Sequence, residues 1–240
     1  TLPDRDALLD QFNEPGRYRD PGDPFNMPGP LDLTYLGTEA ENWIVDRLNG
    51  YGVSEDALWA VTYSGLAALL LSDPCEDYFA YTIPVQDDFI HTLGRIAGAQ
   101  ILGLEDPVEF FTDLAEDEET AKAIVAVYAS YLAPPRDNAA RAAMFQLYGE
   151  ARLGLLSAWD NAYVTSMLGD FGKAALDKTN GYLVEFRNTR FMDRLAGPLS
   201  DGGVFIAVGA AHLPGDTGLV SMLRDDGYNV TRLSLAGELE

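Results

Sequence analysis

Cysteine is almost missing from this 240-residue chain, and cations are scarce. Cys75 stands alone, so no internal disulfide can form and a small scaffold stapled by bridges is excluded. An inert buried thiol is the commonest role for such a residue; the sharper alternative is a partner cysteine lost with a removed amino-terminal segment. Only 16 Lys and Arg oppose 38 Asp and Glu, a formal net charge of -22. That balance argues against nucleic acid, whose binders need cations to replace phosphate counterions, and equally against an anionic membrane surface. No apolar run reaches the roughly 18 residues of a membrane span; the longest, Leu66 to Leu71, is short. Also absent are a zincin HExxH, a P-loop, a GxSxG elbow and a GxGxxG after a strand. The chain opens Thr1-Leu2-Pro3-Asp4-Arg5 with neither an initiator Met nor a signal peptide. We therefore expect a missing or processed amino terminus.

No Ser- or Gly-rich linker divides the chain, and 47% hydrophobic composition suffices for a real core, so 1–240 reads as one domain. Residues 13–30 carry five of the thirteen prolines, which makes 1–35 a loop-rich wrapping segment. Helix signals follow. Thr38-Glu39-Ala40-Glu41 has the capping-box form, ahead of Trp43, Ile44, Val45 and Leu48. Ser54-Glu55-Asp56 opens a second helix, and Asp87 or Asp88 caps a third with Phe89, Ile90, Leu93 and Ile96 on one face. Asp106 as cap with Pro107 behind it marks another helix start. From Glu116 to about Leu195 the pattern predicts several long helices, interrupted at Pro134-Pro135. The run Glu116-Asp117-Glu118-Glu119 is a charged helix start, and Tyr128, Tyr131 and Tyr148 are core packing.

Three short apolar runs read as strands. Gln100 to Leu104 and Val204 to Val208 look like buried parallel strands, and Tyr228 to Leu233 shows alternation. The helix through Leu219, Val220 and Leu223 joins the last two into a βαβ unit. The expected fold is therefore α/β, a small, mainly parallel sheet surrounded by many helices.

In such a sheet, ligands gather beyond the carboxyl ends of strands. His212 stands there, in the loop Gly209-Ala210-Ala211-His212-Leu213-Pro214-Gly215, where Gly209 allows a sharp turn and the alanines leave space. A neutral imidazole in that place could bind a metal or move a proton near neutral pH; the plainer role is a hydrogen bond within the loop. Glu105 ends another predicted strand and could converge on the same site, or stabilise the next helix through its dipole. Arg187, beside Asn188, could clamp a carboxylate or oxyanion, or form an ordinary ion pair. His91 reads as an ordinary helical histidine.

The segment from Val204 through Gly209-Ala210-Ala211-His212-Leu213-Pro214-Gly215 to Gly227-Tyr228-Asn229-Val230 resembles the second GxxH motif of the TraB/GumN family, related to the Tiki metalloproteases. Arg187-Asn188 is similar to that family's RN helix motif, Leu102-Gly103-Leu104-Glu105 to its strand end, and Asp87 to its aspartate ahead of a helix. The resemblance implies a metal-dependent hydrolase or peptidase-like protein holding divalent Mn, Co or Zn, with His212 and Glu105 as ligands and Arg187 as clamp. It also implies an exported, periplasmic setting. The family's first GxxH has no counterpart here: Gly37-Thr38-Glu39-Ala40 has alanine where the histidine belongs. The isolated chain is therefore expected to hold half a metal site and to be inactive. The alternatives are a non-catalytic protein binding a peptide, a haem-like ligand, a saccharide or another small molecule, and a structural remnant whose decayed site leaves His212 hydrogen-bonded and inaccessible.

Overall fold

The computed structural model describes residues 31–50, 52–53, 61–71, 86–133 and 138–233, and every regular element among them is helical. In chain order these are a 3-10 turn at Thr34–Leu36, α1 (Thr38–Gly50), α2 (Tyr63–Leu71), α3 (Gln86–Ile96), α4 (Pro107–Glu116) and α5 (Glu118–Leu132). Then come α6 (Asn138–Gly149), α7 (Leu153–Leu168), α8 (Asp170–Asn180), a π-helical segment (Gly181–Phe186), α9 (Arg187–Asp201), a 3-10 turn (Ala210–His212) and α10 (Leu219–Asp225).

The centre of this arrangement is α5. Its middle carries Ala121, Ala123, Ile124, Val125, Ala126, Val127 and Ala129 on all sides, and each is buried. A helix that is apolar all round must be enclosed by others. One side packs with Ile44 and Leu48 of α1, Leu66, Ala67 and Leu70 of α2 and Leu114 of α4; the other meets Val164 of α7 and Ala175 and Leu176 of α8. Its start is set by Asp117, whose carboxylate accepts from the Thr120 amide at 3.0 Å and the Thr120 hydroxyl at 2.7 Å. That cap is the structural role of the acid-rich run. The turn from α7 to α8 depends on Gly169, at φ 63°, and on Gly172, where a Cβ would lie 2.7 Å from the Val164 carbonyl oxygen.

The chain from Asp170 to Asp201 is helical throughout, with the π segment in its middle. A π turn holds more residues than an α turn and is commonly found at functional sites. Here it stands immediately before Arg187 and Asn188.

The expected α/β fold is corrected: among the described residues there is no strand and no sheet. Residues 100–104, 204–208 and 228–233 are irregular chain. Their apolar side chains lie open to solvent, including Ile101, Leu102, Val204, Phe205, Tyr228 and Leu233. A strand exists only through its ladder partner, and none of these runs has one among the described residues. Short apolar runs flanked by glycine carry no periodicity that separates a strand from an apolar loop. The helix between the last two runs does form, as α10, so only the strands of the expected βαβ unit fail.

Other expectations fare differently. Asp106 caps α4 as the sequence indicates, accepting from the Val108 amide at 2.8 Å with Pro107 in the first turn. Tyr128 and Tyr131 are partly buried against the core, whereas Tyr148 is exposed. The helix start at Ser54, the Pro134-Pro135 break, Cys75 and most of the segment 1–35 lie outside the described residues.

Candidate functional site

Asn188 organises the site. It shares with Phe191 and Leu195 the buried stripe of α9, and its side chain is fully enclosed. Its amide nitrogen donates to two carbonyl oxygens of the following loop, His212 at 3.2 Å and Thr217 at 2.8 Å. Only an NH2 group can serve that fork, so the amide oxygen must face the other way. It lies 2.7 Å from Nδ1 of His212. An amide oxygen only accepts, so Nδ1 carries the hydrogen, and in a neutral imidazole the lone pair is left on Nε2.

His212 closes the 3-10 turn and is buried, 7% exposed, with its ring 5.1 Å from that of Phe191. Burial and then the Arg187 guanidinium hold its pKa below the usual imidazole value, against an opposing pull from Glu105. The free-base form is therefore favoured. A depressed histidine pKa means that the unfolded chain binds more protons, so this group's stability contribution is present above about pH 6.5 and is lost as pH falls below that, through the lowered folded-state value. Urea unfolding of wild type and His212→Gln, which cannot titrate there, should show curves that converge as pH is lowered from about 7.5 to 5. Parallel curves would contradict the assignment.

Glu105 and Arg187 meet as an ion pair. Arg187 Nε donates to Glu105 Oε2 at 2.9 Å and Nη2 donates to Oε1, while Nη1 reaches the Leu183 carbonyl at 3.1 Å. The guanidinium carbon is 5.3 Å from the Phe110 ring and 5.5 Å from the Phe191 ring. Such a planar, bidentate and aromatic-flanked placement suits Arg and not Lys. The pair begins a ladder between α9 and the 105–113 segment, continued by Arg190–Asp113 at 2.7 Å and Arg194–Glu109 at 2.9 Å. Phe191 touches both Arg187 and His212, so the three residues singled out in the sequence are brought together. Asp87, Asp88 and His91 lie exposed on α3.

Two details differ from the sequence reading. Gly209 makes no sharp turn: its φ is -59° and ψ 144°, and an added Cβ would meet the His212 ring at an ordinary 3.7 Å. The obligate glycine is Gly218, where a Cβ would stand 2.2 Å from the Pro214 carbonyl oxygen and 2.4 Å from that of Leu213. Asn188 itself was legible as a polar residue on the stripe that continues through Phe191 and Leu195, spaced three and seven residues on.

A family model described as the TraB/PrgY/gumN family matches residues 38–232. The chain belongs to that family. No curated protein and no solved structure matches it. The family match spans α1 to the end of the described chain, and so includes Glu105, Arg187, Asn188 and His212.

Proposed function

We propose that this TraB/PrgY/gumN protein carries a hydrolase-type site, in which neutral His212 accepts a proton at Nε2 and the neighbouring Arg187 guanidinium offsets negative charge developing on a peptide or small-molecule ligand. The observation that supports it most directly is the hold of Asn188 on Nδ1, which leaves the basic lone pair on the opposite nitrogen. A ring oriented by a buried second partner is the usual support for an imidazole that moves a proton or ligates a metal.

A Mn, Co or Zn ion does not fit the described residues by themselves. His212 offers one nitrogen, both Glu105 oxygens are engaged by Arg187, and that guanidinium would repel a second cation. Among the described residues no group of three His, Cys, Asp or Glu side chains is placed to hold a metal. No metal-borne step is therefore derived. A second reading, non-catalytic binding of a peptide, haem-like ligand or saccharide, is favoured by the Arg187–Glu105 fork, which engages both carboxylate oxygens that hydrolysis could use.

The readings separate in one experiment on the full chain. Hydrolysis of a fluorogenic peptide library is measured with and without added Co, Mn or Zn, for wild type and His212→Ala. The hydrolase reading expects turnover lost in the variant by about a hundredfold or more, the scale of general-base catalysis. Absence of turnover in wild type under every condition, with peptide binding unaffected by the substitution, would sink it.

A further inference from the structure

Four aromatic rings form an unbroken ladder between α5 and α7. Trp159 stacks on Tyr163 with centroids 5.0 Å apart and planes 10° from parallel. Tyr163 stacks on Tyr131 at 6.0 Å and 7°, and Tyr131 meets Tyr128 edge-on at 6.1 Å and 86°. The Tyr163 hydroxyl donates to the Ser130 carbonyl at 3.2 Å, which fixes the middle ring. The Tyr131 hydroxyl donates to the carboxylate of Asp160.

Packing alone does not account for this combination. Phenylalanine at 131 with an apolar residue at 160 would fill the space without placing a phenol and a carboxylate in a partly buried setting, and burying such groups is costly. Burial pushes the Tyr131 hydroxyl far above the usual phenol range, and burial also raises the Asp160 carboxyl, against the hydrogen bond from Tyr131. Tyr131 therefore keeps its proton at any ordinary pH. A phenol becomes a strong acid only when it loses an electron, and the hydrogen-bonded carboxylate is then a ready acceptor.

We propose that the ladder is a one-electron relay, in which a high-potential outer-sphere oxidant at Trp159 draws an electron from Tyr131 through Tyr163 while the phenolic proton of Tyr131 passes to Asp160. The oxidant takes one electron from the indole and is reduced. The indole cation recovers that electron from Tyr131. The Tyr131 O–H bond breaks, leaving a neutral tyrosyl radical and a protonated Asp160 carboxyl. When an external reductant returns the electron, the proton goes back along the same hydrogen bond. Tyr128, edge-on to Tyr131, ends the ladder.

The full chain, at net charge -22, attracts a cationic oxidant, so photogenerated tris(bipyridyl)ruthenium(III) is the probe. Tyrosyl formation is followed by transient absorption and freeze-trapped electron paramagnetic resonance. Wild type should give a persistent neutral tyrosyl signal, most of it lost in Tyr131→Phe and retained in Tyr148→Phe, whose ring is exposed. Asp160→Asn, which removes the proton acceptor, should slow formation about tenfold, and Trp159→Phe should slow it likewise. Circular dichroism checks each variant's fold. Should Asp160→Asn not fold, wild type in deuterium oxide supplies the same test, with slower radical formation expected. A signal unchanged in Tyr131→Phe, or a rate unchanged in Asp160→Asn and in deuterium oxide, would overturn the relay.

Discussion

Asn188→Leu should lower the stability of the whole chain by about 3 kcal/mol or more, although it keeps the number and branching of side-chain heavy atoms. The cost comes from what is left behind. The His212 carbonyl and its Nδ1 hydrogen lose the partner they have in a buried setting, and the part-buried Thr217 carbonyl loses its own; each unsatisfied buried group costs roughly 1–3 kcal/mol. For a chain of this size the thermal midpoint should fall by roughly 2–4 °C per kcal/mol. The exposed neighbour Thr189 donates one hydrogen bond to a carbonyl of its own helical stretch. Thr189→Val should therefore change stability by less than about 0.5 kcal/mol. Urea or thermal unfolding of the two variants side by side checks the contrast. A near-neutral Asn188→Leu would mean that the loop does not depend on this amide.

Gly218→Ala should do comparable damage from the other end of the same fork. A methyl group there is driven against the carbonyls of Leu213 and Pro214, which are backbone and cannot swing aside. Forced contacts in packed structure cost about 1–3 kcal/mol, and more where nothing yields. To escape, the loop has to move the Thr217 carbonyl, one residue away, and so release Asn188. The signature is a coupled one: lower unfolding stability together with a shifted nitrogen-15 resonance of His212 Nδ1. Gly209→Ala, which meets only an ordinary contact, should leave both readouts unchanged. If the two alanine variants behave alike, the steric account of Gly218 is wrong.

Much of the helical frame was written locally. Asp106-Pro107 and Asp117 announce their helices through side chains that reach no further than the first turn, so sequence suffices to read them. Glu105, Arg187 and His212 were expected to converge on one site, but the contacts that join them were not legible, because the ion pair links residues 82 apart and the Asn188 contact spans 24. The strands failed for the same reason in reverse. An apolar run such as Val204 to Val208 states an appetite for burial, whereas a sheet needs a neighbour that no local pattern supplies. The π segment ahead of Arg187 carried no distinctive sequence signal.

The enclosure of α5 has a consequence for which parts of the molecule open first. Amide hydrogens in the middle of that helix, between Ala121 and Ala129, are covered by α1, α2, α4, α7 and α8 together, so no single element can peel away and expose them. They should exchange with solvent only through global unfolding and share one exchange free energy. The 210–217 loop, held by the Asn188 amide and by His212 against Phe191, lies outside that enclosure. His212 is thus tied to α9 and not to the helix expected to open last.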